Sequence, residues 1–380
     1  MFPKLNPKQQ GFKGKDLLLT DFSNPAIGYP THYGTLPGTL TIGDGSFNGL
    51  PGTILIGYNN QVTYNSSYQT TSSGSIMLGN NLVIANASYA AINNIILSVG
   101  TAATNSNTTT ISIGSNVYTN GYGNSNGVAI GNNTTCNTSS ATAIGYSATT
   151  GSNYSGSVAL GANASATGSY GLALGSNSTS GSYGTYCIAI GYTATTNYSV
   201  SNYSTAIGYT AGANGPYTVS LGAKSYSTLY GQVTLGNTYL NGQSFGSNYY
   251  NRTSYITAFN QTTTTTSTKL WLDGTAASQS IAFVPQSINY FKIRLLAKQS
   301  SNSNIGVWTC EGALYVGATA STAALQGTPT WTVIGGANLS GVTGPSIAAN
   351  TTNGGFDISV VGPAATVDWF ASIELVELGF

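Results

Sequence analysis

The chain has 380 residues, carries charge on only 5% of them, and has a formal net charge of +1 at pH 7. Ordinary soluble domains are about a quarter charged, so a basic face for nucleic acid is excluded. No apolar run is long enough to cross a bilayer as a helix, and MFPKLNPKQQGFKGKD at the start lacks the apolar centre of a secretion signal. The expectation is therefore a chain made in a cytoplasm, with no nucleic-acid partner and no membrane insertion. Cys136, Cys187 and Cys310 are odd in number and widely spaced, which reads as three free thiols.

Residues 1–25 hold Lys4, Lys8, Lys13 and Lys15, four of the ten basic residues of the chain. Pro3 and Pro7 oppose a helix, so the segment is expected to be extended. Its lysines, with Phe12 and the apolar LLLTDF that follows, suit a peptide docking on an acidic or grooved surface of a larger particle.

From residue 26 to 240 an aliphatic residue followed by glycine recurs, as at Gly131, Gly145, Gly161, Gly175, Gly191, Gly208, Gly222 and Gly236. The commonest step is fourteen residues, with short insertions. Before each glycine the pattern is apolar, small, apolar: Val128-Ala129-Ile130, Val158-Ala159-Leu160, Leu172-Ala173-Leu174, Ile188-Ala189-Ile190. Such alternation is a strand signature. A short strand, a turn, a second short polar strand and a second turn use up the unit, so each unit is one coil of a solenoid.

One coil buries too little apolar area to offset the entropy of ordering it, so stability must come from stacking of about fourteen coils. The large aliphatics Val128, Ile130, Ile144, Val158, Leu160, Leu172, Leu174, Ile188, Ile190, Ile207 and Leu221 are expected to fill the core. The alanines between them are expected to form an outer face that lets another copy approach closely.

The units SVALGANASATG, GVAIGNNTTC, TAIGYSATTG and IAIGYTATT resemble the head repeat of YadA-type trimeric adhesins, a repeat that also occurs in bacteriophage fibres. The resemblance covers about residues 26–240. It implies an all-β homotrimer of left-handed parallel β-rolls. A YadA-type adhesin also has a secretion signal, a coiled-coil stalk and a membrane-anchor barrel. No signal or heptad segment is legible here, and the terminal Phe380 is read as coincidence.

Residues 241–268 read as a Thr- and Asn-rich connector. From 269 to 380 charges return and longer strands are predicted in NYFKIRLLAKQ, NIGVWTCEGALYV, TWTVIG, FDISVVG and TVDWFASIELVEL. They suggest an antiparallel β-sandwich or jelly roll. This segment resembles the C-terminal domains of phage tail and head fibres, which implies a tip that sets chain register, contacts a receptor, or both. Trp308, Trp331, Asp368 and Trp369 are the candidate receptor contacts. Beside Trp369, Asp368 belongs either to a sugar-binding patch or to a solvent-facing strand end.

Hydrolysis of a glycoside needs two carboxylates about 5 to 10 Å apart, and no Asp or Glu lies between Asp44 and Asp273. His32 is the only histidine, so a Ser-His-Asp arrangement has one place to form. With no phosphate-binding loop, no repeated Asp for calcium and no metal-ligand cluster, the expectation is no enzyme and no cofactor. The tyrosines after the motif glycine (Tyr29, Tyr58, Tyr146, Tyr192, Tyr209) and in the inserted loops (Tyr154, Tyr170, Tyr183, Tyr186, Tyr198, Tyr203, Tyr217) either stack on sugar rings of a cell surface, or stack on one another and cover loop backbone. The leading expectation is a trimeric fibre on a virion surface, bound through its N-terminus to tail, baseplate or capsid proteins and through its tip to a host glycan or protein. The alternatives are a head fibre or decoration protein with weak adhesion, a bacterial adhesin fragment, and a polysaccharide depolymerase.

Overall fold

The computed structural model describes residues 54–64, 72–73, 75–87, 91–98, 104–105, 109–119, 126–151, 156–181, 185–196, 202–236, 251–274, 280–301, 304–335, 339 and 342–379, together with the short strands 26–27, 40–42 and 47–48. Among them every regular element is a strand except one 3-10 turn at Ala320–Thr322. The chain divides into two compact units, 1–156 and 157–380.

Both units contain the coil expected from the repeat. In the first, the strands Ile54–Ile56, Ile76–Gly79, Ala91–Ser98, Thr109–Ile113, Asn126–Ile130 and Thr142–Ile144 pair in parallel, each with the next. In the second, Val158–Leu160, Leu172–Leu174, Ile188–Ile190, Thr205–Ile207, Val219–Leu221 and Val233–Gly236 do the same. A column of two-residue strands, such as Ser165–Ala166, Thr179–Ser180 and Thr195–Thr196, forms the opposite wall. Like residues stack on like, with Ala159, Ala173, Ala189 and Ala206 in one column.

The motif glycine turns the chain out of the first wall. At Gly161 φ is +137, and a Cβ there would sit 2.6 Å from the carbonyl oxygen of Gly175 in the next coil. Only glycine meets both demands, which is why the repeat keeps it.

The faces of the strand are opposite to expectation. Ala129, Ala143, Ala159, Ala173, Ala189 and Ala206 are fully buried inside the coil. The expected core residues Val128, Ile130, Val158, Leu160, Leu172, Ile188, Ile190 and Leu221 are only half-buried, and Ile144, Leu174 and Ile207 are exposed. The reason is width. Across the interior the hydroxyls of Ser220 and Ser227 lie 2.7 Å apart, and those of Ser112 and Thr119 lie 3.2 Å apart. Two walls that close leave room for one small side chain from each. Earlier in the first unit the same inward column holds Leu55, Met77 and Ile96, so the interior there takes larger groups.

The C-terminal region begins inside the expected connector. Asn251–Thr262 is a strand whose Thr, Tyr, Ile and Phe residues suit a half-buried sheet. It pairs antiparallel with Val233–Gly236 and along its whole length with Val367–Gly379. Strand 367–379 pairs with Ser287–Gln299, which pairs with Ile305–Val316, and that with Trp331–Gly335. A second antiparallel sheet joins Gly355–Val361 to Thr343–Asn350, Thr268–Lys269 and Ile281–Ala282. Phe291, Ile293 and Leu295 of the first sheet and Phe356, Ile358 and Val360 of the second share one core.

Candidate binding surfaces

The docking set Lys4, Lys8, Phe12, Lys13 and Lys15, along with His32 and Phe380, lies outside the described residues. The four candidate receptor contacts do not come together on a surface. Trp308 and Trp369 stack with ring centroids 5.8 Å apart inside the core, and Trp369, 1% exposed, donates its indole N–H to Thr262 Oγ1 at 2.9 Å. They are core residues, because alternation along Val367–Gly379 that turns Asp368 outward must turn Trp369 inward. Trp331 is half-buried, and its indole nitrogen finds no acceptor among the described residues.

Asp368 does stand at a surface feature, a shallow hollow of about 670 Å³ whose rim includes Phe259, Leu296, Ile305, Phe370 and Lys298. Its carboxylate accepts from Gln261 Nε2 at 2.7 Å and Ser300 Oγ at 3.3 Å. On the same sheet Glu311 accepts from Lys292 Nζ at 2.7 Å and Tyr290 Oη at 2.9 Å. The Lys292 hydrogen bond, then the one from Tyr290, holds the Glu311 carboxyl below its ordinary range, and Glu311 raises Lys292 and Tyr290 in return. Solvent screens this exposed trio. Glu374 is half-buried on this outer face, whereas Glu377 points inward. Among the described residues no group of three or more His, Cys, Asp or Glu could hold a metal ion.

The outer face of the roll in the second unit carries two aliphatic columns. One runs Val158, Leu172, Ile188, Thr205, Val219, Val233, and the other Leu160, Leu174, Ile190, Ile207, Leu221, Leu235. Leu174, Ile207 and Leu235 are 40%, 39% and 46% exposed. The face continues into the C-terminal sheet, where Val233 pairs with Tyr255 and Leu235 with Thr253, Thr253 pairs with Val376, and Val376, Leu378, Ile288 and Tyr290 are also exposed, while Tyr255 pairs with Glu374. A contiguous apolar strip of this kind marks an interaction surface.

From Gly131 onward each described coil also has two corners with a residue in the left-handed region. One corner holds mostly Asn, Ser or Thr, such as Asn163, Asn177 and Thr193. In the second unit the other corner holds tyrosine: Tyr170, Tyr186, Tyr203 and Tyr217, with φ between 54 and 57. Their rings stack at centroid distances of 4.9, 5.2 and 5.2 Å, within 7 to 11° of parallel, and Tyr230 closes the column tilted by 51°. Each of the four is about half exposed. A left-handed conformation costs a side chain about 1 to 2 kcal/mol, and each ring pair contributes about 0.5 to 1.5 kcal/mol. Every residue but glycine carries that cost here, so the stacked pairs offset part of it and favour tyrosine over other side chains at these corners. Of the tyrosines after the motif glycine, Tyr192 and Tyr209 stack at 5.5 Å.

Two segments, 155–178 and 201–225, match the YadA head domain repeat. No curated protein matches the chain. Among solved structures it is similar to the tailspike protein gp49 of Acinetobacter baumannii bacteriophage Fri1, described as a capsular polysaccharide depolymerase, at 9% identity and TM-score 0.26, over 89% of this chain and 55% of that one. It is also similar to the tailspike protein of Acinetobacter baumannii phage AM24, at 12% identity and TM-score 0.17, over 92% of this chain and 60% of that one. The chain thus spans little more than half the length of either tailspike, and at these TM-scores the likeness carries no argument for a particular site. The expectation that the chain is no enzyme is corrected, because a solved structure it matches is described as an enzyme. The stretch without Asp or Glu between Asp44 and Asp273 removes a carboxylate pair from the roll of one copy only, and six carboxylates follow from Asp273 onward.

Proposed function

We propose that the chain is a homotrimeric fibre of a phage virion that attaches the particle to a host cell surface. In this reading residues 1–25 dock on the virion, 26–240 form the shaft, and 269–380, read as a sandwich from its two sheets and shared core, form the tip. The observation that carries it is the aliphatic strip from Val158 to Leu378, which one chain leaves in water. Two further copies presenting the same strip around an axis would cover it, since like residues then meet like. The half-buried leucines and isoleucines therefore become the interface, in place of the alanines. The matched YadA repeat supports an extracellular or virion-surface fibre.

The test is the mass of the full chain in solution by light scattering. Three times 38.9 kDa is expected, and a single-chain mass would overturn the assembly. Virions labelled with antibody against residues 269–380 should carry the label on tail or capsid, and label on neither would overturn the virion assignment.

A further inference from the structure

We infer that the tyrosine column Tyr170, Tyr186, Tyr203, Tyr217 is a binding site for an extended, uncharged polysaccharide chain. The site lies on the roll, so it goes beyond attachment through the tip. Stacking covers the ring faces against one another, and each tyrosine remains about half exposed, one per coil. The result is a row of hydrogen-bonding groups at centroid steps of 4.9 to 5.2 Å. A hexose chain linked through equatorial bonds advances about one ring length per residue, so successive sugars meet successive tyrosines in the same register. Phenol edges also supply apolar contact at little entropic cost, since each ring has only two side-chain torsions and is already held by its neighbours.

Charge selects the class. No Asp, Glu, Lys, Arg or His lies between Asp44 and Lys224, so nothing along this column attracts an anionic polymer. Three of the four residues before the tyrosines, Ser169, Thr185 and Asn202, are polar and neutral, and the fourth is Pro216. Thr185 donates its backbone N–H to the Asn202 side-chain carbonyl at 3.0 Å, and Ser169 precedes Tyr170. The match is between a neutral, hydroxyl-rich surface and a neutral, hydroxyl-rich polymer.

Affinity electrophoresis of the full chain tests this with two probes of the same backbone linkage. Galactomannan is uncharged, and polymannuronate carries a carboxylate on each ring. The unmodified chain should be retarded by galactomannan and not by polymannuronate. Tyr186→Gly with Tyr203→Gly removes two rings at corners where glycine is unstrained, and should weaken retention at least tenfold. Tyr186→Phe with Tyr203→Phe keeps the stack, guards against misfolding, and should weaken it severalfold through loss of the hydroxyls. No retention on galactomannan, equal retention on polymannuronate, or undiminished retention of both variants would overturn the site. Binding of whole cells is read separately: a glycine variant that loses retention on galactomannan and still binds cells supports the column and leaves attachment through the tip standing, whereas loss of cell binding with retention on galactomannan unchanged would overturn the column and not the tip.

Discussion

Arg252 and Glu377 are 125 residues apart in sequence and form a buried two-point ion pair. Arg252 Nη2 donates to Glu377 Oε1 at 2.9 Å, its Nε donates to the other carboxylate oxygen, and its Nη1 donates to the backbone carbonyl of Tyr226 in the roll. Ser254 Oγ adds a bond at 3.3 Å. One guanidinium thus joins strands 251–262 and 367–379 to a coil of the solenoid.

Removing one partner strands the other charge away from water. Glu377→Ala should lower the unfolding free energy by about 3 to 5 kcal/mol, read by chemical denaturation. A loss below about 1 kcal/mol, the range of an exposed pair, would mean that the carboxylate is not held away from water. Replacing both residues by apolar ones should recover much of the loss.

Glycines of the roll are not equivalent. Gly161→Ala places a methyl against the Gly175 carbonyl at a φ of +137, whereas Gly231, at φ +65, has nothing within 4 Å of an added Cβ. The first should cost about 3 kcal/mol or more and the second about 1. Comparable melting temperatures for the two variants would count against the close stacking of coils at Gly161.

The inversion of inside and outside has its own test. Ala189→Leu should destabilise the roll by about 1 to 3 kcal/mol through overpacking. Leu174→Ala should leave the circular dichroism of the roll unchanged and weaken self-association, read by sedimentation. The opposite pairing of effects would restore the alanines to the outer face.

Cys310 is pushed up to about 11 from its ordinary value of 9.0, first by burial and then by the charge of Glu311. A raised thiol stays protonated in the fold while the unfolded chain releases its proton. Its contribution is therefore complete below pH 9.0 and is lost as pH rises towards 11. The denaturation midpoint of the unmodified chain should fall across that window more steeply than that of Cys310→Ala, and parallel curves would refute the assignment. Burial also raises Cys136 and Cys187, so a thiol reagent at neutral pH should find all three inert until the chain unfolds.

Much of the coil was legible. Apolar-small-apolar before glycine marked the strands at 128–130, 158–160, 172–174 and 188–190, and the glycine itself marked the turn. Residues 251–262 read as a linker in the sequence because Thr- and Asn-rich text resembles one until a partner strand is present, and that partner, 367–378, is more than a hundred residues away. Trp369 was placed on the surface as a large aromatic beside a carboxylate, although its own alternation with Asp368 already pointed it inward.

The sequence by itself determined the architecture of one coil, since period-two alternation and a glycine that ends each strand are local facts, whereas the close approach that makes that glycine irreplaceable comes from the next coil. A period of two distinguishes two faces without saying which one is inside. That was decided by the distance between opposing walls, which Ser220 and Ser227 measure and which exists only once the coil closes. The tyrosine column is likewise tertiary. Tyr170, Tyr186, Tyr203 and Tyr217 follow one another at unequal intervals, and only the backbone register between coils, set by hydrogen bonds such as Tyr186 N to Ser169 O, brings their rings into line.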